Sequence, residues 1–174
     1  MFTCRVYASA ESSRQVSAPM LRPVDNPKQR AERREWLGLL ARAPLPVLEA
    51  WAQRQPQRNI TWLRRPETGL VMVRARAGGT GDKFNLGEMT ITRCVLLLDN
   101  ALCGLAYVQG RSSRKAEIAA LADALLQDPD ACEQVREDLI EPLRIRLEAE
   151  STRMQRKAQA TRVEFFTLAR EAGA

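Results

Sequence analysis

Hydrophobic and polar positions recur along this chain with two different periods, and each change of period marks an element. Asn26 followed by Pro27 is a helix start, with a side-chain acceptor at the N-cap and proline in the first turn. The segment to Arg42 is charged in its first half and carries Trp36, Leu37, Leu39 and Leu40 as a buried stripe in its second. Pro44 and Pro46 reset the chain. A second helix follows to about Gln55, with Leu45, Leu48 and Trp51 on one face, and Pro56 ends it. The two make an N-terminal helical hairpin. Residues 1–26 show no sustained period and read as a flexible extension interrupted by Pro19 and Pro23.

The period then changes to two. Asn59 to Arg65 is a strand rich in β-formers, and Pro66-Glu67-Thr68-Gly69 is turn chemistry. From Leu70 to Ala77 the chain alternates, with Val71, Val73, Ala75 and Ala77 on one face and Leu70, Met72, Arg74 and Arg76 on the other. Gly78-Gly79-Thr80-Gly81-Asp82-Lys83 is a glycine-rich loop, and Phe84 to Met89 a short link or strand. Strands at Thr90–Leu98 and Leu102–Gln109 flank an Asp99-Asn100-Ala101 hairpin turn. On this reading Cys94 and Cys103 share a face.

Gly110 breaks the strand, and Ser112 or Ser113 caps a helix that reaches Gln127. Ala116, Ala120, Leu121, Ala124 and Leu125 form its packing face, small enough to lie close on a sheet. Asp128-Pro129 stops it. Helical pattern returns at Ala131–Ile140, and Pro142 starts a further helix reaching about Ala158. Arg162 to Leu168 alternates in a way that suits strand or helix, with strand preferred. The expected architecture is α+β, a central antiparallel sheet with helices packed on it, in one domain over residues 27–174.

Composition narrows the chemistry. The 174 residues contain no histidine, which excludes a Ser-His-Asp triad, a histidine zinc site and a histidine base supplied by this chain. Of 27 Lys plus Arg, four are lysines (Lys28, Lys83, Lys115, Lys157) and 23 are arginines, against 21 Asp plus Glu. Arginine-rich surface suits bidentate contact with phosphate or carboxylate. The four cysteines form no CxxC pair. With no membrane-length apolar run and no signal-type apolar stretch at the N-terminus, the chain reads as cytoplasmic.

The candidate anion or partner contacts are Arg74, Arg76, Gly78, Gly79, Thr80, Gly81, Lys83, Arg93, Gln109 and Arg111. Three glycines in four positions allow backbone N–H groups to form an anion nest, with Lys83 as a point charge and Arg74 and Arg76 on the strand before it. The loop departs from a P-loop, because Gly81 is followed by Asp82-Lys83-Phe84. Cys94 beside Arg93 raises the question of an activated thiolate, though a small buried apolar role is the ordinary one. Gln109-Gly110-Arg111 enters a helix N-terminus, a further anion-site geometry. No carboxylate pair has catalytic spacing, and no residue is assigned a catalytic or metal-binding role. Two readings stand on residues alone beside that of a complex subunit. One is a stand-alone phosphoryl-ligand enzyme using the Gly78–Lys83 loop. The other is a basic nucleic-acid-binding module, disfavoured by nine aromatics at mostly core positions and by dispersed arginines.

Taken in order, Glu67-Thr68-Gly69-Leu70-Val71, Arg74-Ala75-Arg76, Gly78-Gly79-Thr80-Gly81, Phe84-Asn85-Leu86-Gly87-Glu88 and Thr92-Arg93 form one half of a pattern. Gly104, Val108-Gln109-Gly110-Arg111, Ala116-Glu117, Asp123-Ala124-Leu125 and Arg162-Val163-Glu164-Phe165-Phe166-Thr167 form the other. From about Ala31 to Arg170 the chain resembles the PhnG family, small subunits of the bacterial carbon–phosphorus lyase core complex. The resemblance implies work with three larger core subunits (H, I and J) and an ATP-binding-cassette partner, two copies per complex, and no activity alone. It further implies a reaction, with MgATP as co-substrate, that joins a phosphonate to the ribose C1 of ATP and releases adenine. In that family the nucleosidase-type chemistry is placed on the I subunit and radical C–P cleavage on the J subunit. The pattern departs at Ser112, where an acidic residue is common, at Lys115, where a histidine is frequent, and at Arg170-Glu171 in place of Arg-Gly.

Overall fold

The computed structural model describes residues 26–76, 80–99 and 101–161; expectations for residues 1–25, the Gly78-Gly79 pair and the segment 162–168 lie outside them. The element order is α1 (Pro27–Arg42), α2 (Leu45–Ala52), β1 (Ile60–Arg76), β2 (Lys83–Leu98), β3 (Leu102–Gln109), α3 (Ser113–Leu125), α4 (Cys132–Val135) and α5 (Glu141–Ala160). The strands form one antiparallel sheet in the order β1-β2-β3, so the expected α+β class holds.

Local chemistry sets the helix starts. The Asn26 side chain accepts the Lys28 backbone N–H at 3.0 Å, and Ser112 accepts that of Lys115 at 3.2 Å. The tight β2–β3 turn places Asp99 at φ 49°, a left-handed conformation that aspartate tolerates. Its carboxylate also receives the Asn59 N–H at 3.2 Å, tying the turn to the start of β1.

Helix α3 is the hub. It lies on the sheet side that carries Cys94, Leu96, Ala106 and Val108, and α1 and α2 both pack against it. Its contact with the sheet is close because Ala120 and Ala124 meet Gly104. A Cβ at Gly104 would overlap the Ala120 carbonyl oxygen. Leu40, Leu48, Trp51, Leu96, Ile118, Leu139 and Leu143 fill the core between these layers.

Three expectations change. First, Pro66–Gly69 does not turn the chain. β1 runs through it as one strand, with register irregularities between Trp62 and Glu67. Proline sits where the ladder is already broken, so its missing N–H costs no bond. Second, Phe84–Met89 is not a separate link but the first part of β2. Third, the register sets Cys94 opposite Ala106 and Leu97 opposite Cys103, so the two cysteines face opposite sides of the sheet. Pro142 stands in the first turn of α5, the helix expected to start there. A π-helical turn at Arg136–Ile140 joins α4 to α5, widening the backbone where the proline ring would crowd the preceding turn.

Beneath α1 lies a buried ionic knot. The Asp123 carboxylate is fully buried and accepts Arg33 Nη2 at 2.7 Å, Arg33 Nε at 3.1 Å, Trp36 Nε1 at 2.8 Å and the Leu105 N–H at 2.9 Å. Gln127 Nε2 bridges the Asp123 backbone oxygen (2.8 Å) and the Cys103 oxygen (2.9 Å). Asp123→Ala would leave the Arg33 charge and the Trp36 and Leu105 donors without their acceptor. It is expected to destabilise the chain by about 3–5 kcal/mol, read by urea unfolding. Trp36→Phe, which removes one donor, should cost far less.

Candidate functional site

The residues with functional promise do not converge on one spot. β3 pairs with β2 only from Ile91 onward, whereas β1 and β2 pair on to Arg76 and Lys83. Beyond the end of β3 the sheet is therefore a two-stranded ribbon, residues 70–76 against 83–90. At ~3.3 Å per residue it projects roughly 20 Å. Two strands alone are marginal in water, and this ribbon has no helix or third strand on it among the described residues.

Its surface is apolar where it should be polar. Leu70 is 62% exposed, Met72 52%, Phe84 45% and Leu86 64%. Leu86 stands in the register shift between Val73 and Arg74, the extra residue of a bulge. Leu70 and Met72 continue the side of the sheet that faces α3 further down, where Thr68 opposes the buried Thr92. They are exposed because the helix that would cover them begins only at Ser113.

The ribbon tip is basic. Arg76 pairs with Lys83 and Arg74 with Asn85, so the two arginines share one face, as the alternation implied, and the register adds Lys83 to it. Arg76 Nη1 donates to the Gly81 oxygen at 3.1 Å, which closes the loop end, and Thr80 is exposed beside it.

The other candidates stand apart. Arg93 lies on the opposite sheet face, its Nε 2.6 Å from Glu67 Oε1, with Arg64 Nη1 3.1 Å from the same oxygen. The Glu67 hydrogen bond raises the already high Arg93 pKa, so this guanidinium is a charged structural partner. Gln109 and Arg111 are both exposed beside the start of α3, where Gly110 at φ 95° turns the chain. Ser112 already satisfies an N-terminal N–H of α3. Lys115 Nζ reaches across to the Ala41 oxygen at 2.8 Å, a cation on the carbonyl end of α1, and burial lowers its pKa. The two departures at Ser112 and Lys115 thus have structural uses.

Cys94 is no nucleophile. It is fully buried, and burial, with Glu117 nearby, pushes its pKa up to about 12. The described residues contain no cluster of three or more Cys, Asp or Glu fit to hold a metal ion. No helix among them is long and apolar enough to cross a membrane. The structural polar contacts that sequence reasoning passed over are those of Arg33, Trp36 Nε1 and Gln127 around Asp123. The available signal was a carboxylate set among the apolar positions of α3.

Fold and surface together define a small α+β protein with a two-stranded ribbon that exposes apolar side chains and carries a basic tip. Comparison with known proteins supplies the particular one. Residues 31–171 match the family described as phosphonate metabolism protein PhnG, and the chain belongs to that family. It is 43% identical over 141 residues to the alpha-D-ribose 1-methylphosphonate 5-triphosphate synthase subunit PhnG of Rhizobium meliloti (strain 1021). The match covers 80% of this chain and 90% of that relative.

The Cys94 thiol is expected to resist alkylation. Because its pKa is raised, its contribution to folding is complete below the ordinary thiol value near 9 and is lost as pH rises through about 12. In native protein at pH 8, peptide mass analysis after iodoacetamide should find Cys94 unmodified, and guanidinium should expose it. Rapid native labelling would contradict the buried placement.

Proposed function

We propose that this chain is the small subunit of a synthase in phosphonate metabolism and that the β1–β2 ribbon is its partner-binding element. The observation that carries the reading is the ribbon's exposed apolar side chains, Leu70 and Met72 on the face that also carries Arg74, Arg76 and Lys83, and Phe84 on the opposite face. A two-stranded ribbon with exposed apolar side chains on both faces suits a protein interface, and the basic tip favours a partner surface with an acidic recess. The relative's name as a synthase subunit supports the same reading.

The reaction of the assembly is the formation of a ribose 1-phosphonate 5-triphosphate from a phosphonate and MgATP. The bond from ribose C1 to adenine is replaced by one from C1 to a phosphonate oxygen, and adenine leaves. This chain contributes structure or a supporting contact, and the larger core subunits carry the reacting groups. The partners are the three larger core subunits and the ATP-binding-cassette protein, with two copies of this chain per assembly.

The test is co-expression of the tagged full chain with the defined larger subunits. The Leu70→Asp/Phe84→Asp variant should lose at least tenfold in capture of those subunits while its thermal unfolding is unchanged. Growth on methylphosphonate as sole phosphorus source should fail in parallel. Undiminished capture would remove the ribbon from the interface. Turnover by the isolated chain that disappears in Lys83→Ala would instead favour a stand-alone enzyme built on the glycine-rich loop.

A further inference from the structure

The register divides the ribbon into two unlike faces. On one, Val71 opposes Met89, Val73 opposes Gly87 and Ala75 opposes Phe84. None of these positions holds a charged or polar side chain. On the other, Leu70 opposes Thr90, Met72 opposes Glu88, Arg74 opposes Asn85 and Arg76 opposes Lys83. That face passes from apolar at its base to basic at its tip.

A strand pair with one face in water places polar residues on the wet side. The uncharged face has none, and the other still exposes Leu70 and Met72. Among the described residues, no other segment comes within 4 Å of a Cβ built at Gly69 or Gly87. Gly69 opposes Ile91, so both glycines lie on the uncharged face and leave room for a neighbour to approach it closely.

Area separates a flat contact from an enclosed one. The ribbon is roughly 20 Å long, about 10 Å wide and about 10 Å thick with its side chains. One face therefore offers roughly 200 Å², far below the ~800 Å² per partner of a stable interface, whereas all its sides together offer about that amount. Two copies stacked face to face would bury only roughly 400 Å² in total, too little for a stable dimer.

Charge sets the direction. Between Arg74 and Lys83 the chain carries three cations against the single carboxylate of Asp82, and Ala77-Gly78-Gly79-Thr80-Gly81 adds none. Arg74 and Lys83 are exposed. Arg76 donates to the Gly81 carbonyl, which leaves its charge unneutralised.

We propose that the ribbon is an insertion element, entering a cleft in one larger subunit of the synthase that encloses both of its faces. The cleft has apolar walls, one against Val73 and Phe84 and the other against Leu70 and Met72, and carboxylates at its floor to meet Arg74, Arg76 and Lys83. Enclosing those cations without carboxylates would leave buried charge unpaired. Glu88, opposite Met72 near the base, falls toward the mouth of the cleft, where water still reaches it. The proposal rests on the reading of this chain as a synthase subunit with the ribbon at its interface, and adds how the ribbon is held.

The test compares Met72→Asp with Phe84→Asp, one on each face, in the tagged full chain co-expressed with the defined larger subunits. Each alone should reduce capture at least tenfold with thermal unfolding unchanged. Arg74→Glu/Lys83→Glu should do the same, and Arg74→Gln/Lys83→Gln less. In the wild-type chain, hydrogen exchange at ribbon amides of both strands should slow at least tenfold on assembly. Loss of capture with one face's variant alone means that the ribbon lies flat, which overturns insertion and leaves the ribbon interface standing. Undiminished capture by both, and by Leu70→Asp/Phe84→Asp, removes the interface as well. Equal exchange in the isolated chain and the assembly overturns the proposal, whether the ribbon stays open or the chain's own residues cover it. So does sedimentation of the isolated chain as a dimer that Phe84→Asp dissociates, which would make a second copy the occupant.

Discussion

The buried Asp123 carboxylate ties together three elements that otherwise have little reason to meet in one way. It sits on α3, receives Arg33 and Trp36 from α1, and accepts the Leu105 N–H of β3. Apolar contact alone is tolerant of sliding, since leucine and alanine surfaces are satisfied by many offsets. A desolvated carboxylate is not tolerant, because each donor it loses leaves a buried charge short of compensation. The knot therefore fixes where α1 lies relative to α3 and the edge of the sheet. The rest of the N-terminal layer follows, including the Lys115 contact with the end of α1.

Close packing of α3 sets the other boundary. Gly104 and the alanine face let the helix approach the sheet, so the core is thin and the helix short. β3 ends at Gln109 and α3 begins at Ser113, which leaves the upper half of β1 and β2 without cover among the described residues. The ribbon's exposed side chains are a consequence of that geometry rather than of an unusual local sequence. Leu70 and Met72 have the pattern of core residues and would be core residues if the helix extended past them.

The arginines divide by environment. Arg33 is structural on one side and accessible on the other. Arg93 and Arg64 share Glu67 on an exposed sheet face, where solvent screens the pairing and little stability follows. Arg74 and Arg76 crown the ribbon. A net charge of +6 is thus distributed over several separate surfaces, each with its own chemistry.

Read alone, the sequence determined the class of fold, most element boundaries and the family. These rest on local rules: Asn26-Pro27 and Ser112 as helix starts, alternation over 70–76, the hairpin at Asp99, and an ordered set of motifs. It also placed Arg74 and Arg76 on one face, because alternation assigns faces within a strand, whereas the β1–β2 register put Lys83 beside them. Tertiary structure decided what local rules cannot. Pro66–Gly69 has turn composition, yet pairing with β2 keeps it extended. Cys94 and Cys103 looked cofacial until the hairpin register set them apart. Asp123 looked like one polar residue on a helix, and only its neighbours 18 to 90 positions away in sequence make it the anchor. Burial, register and long-range pairing are properties of what a residue meets, and the chain meets itself only when folded.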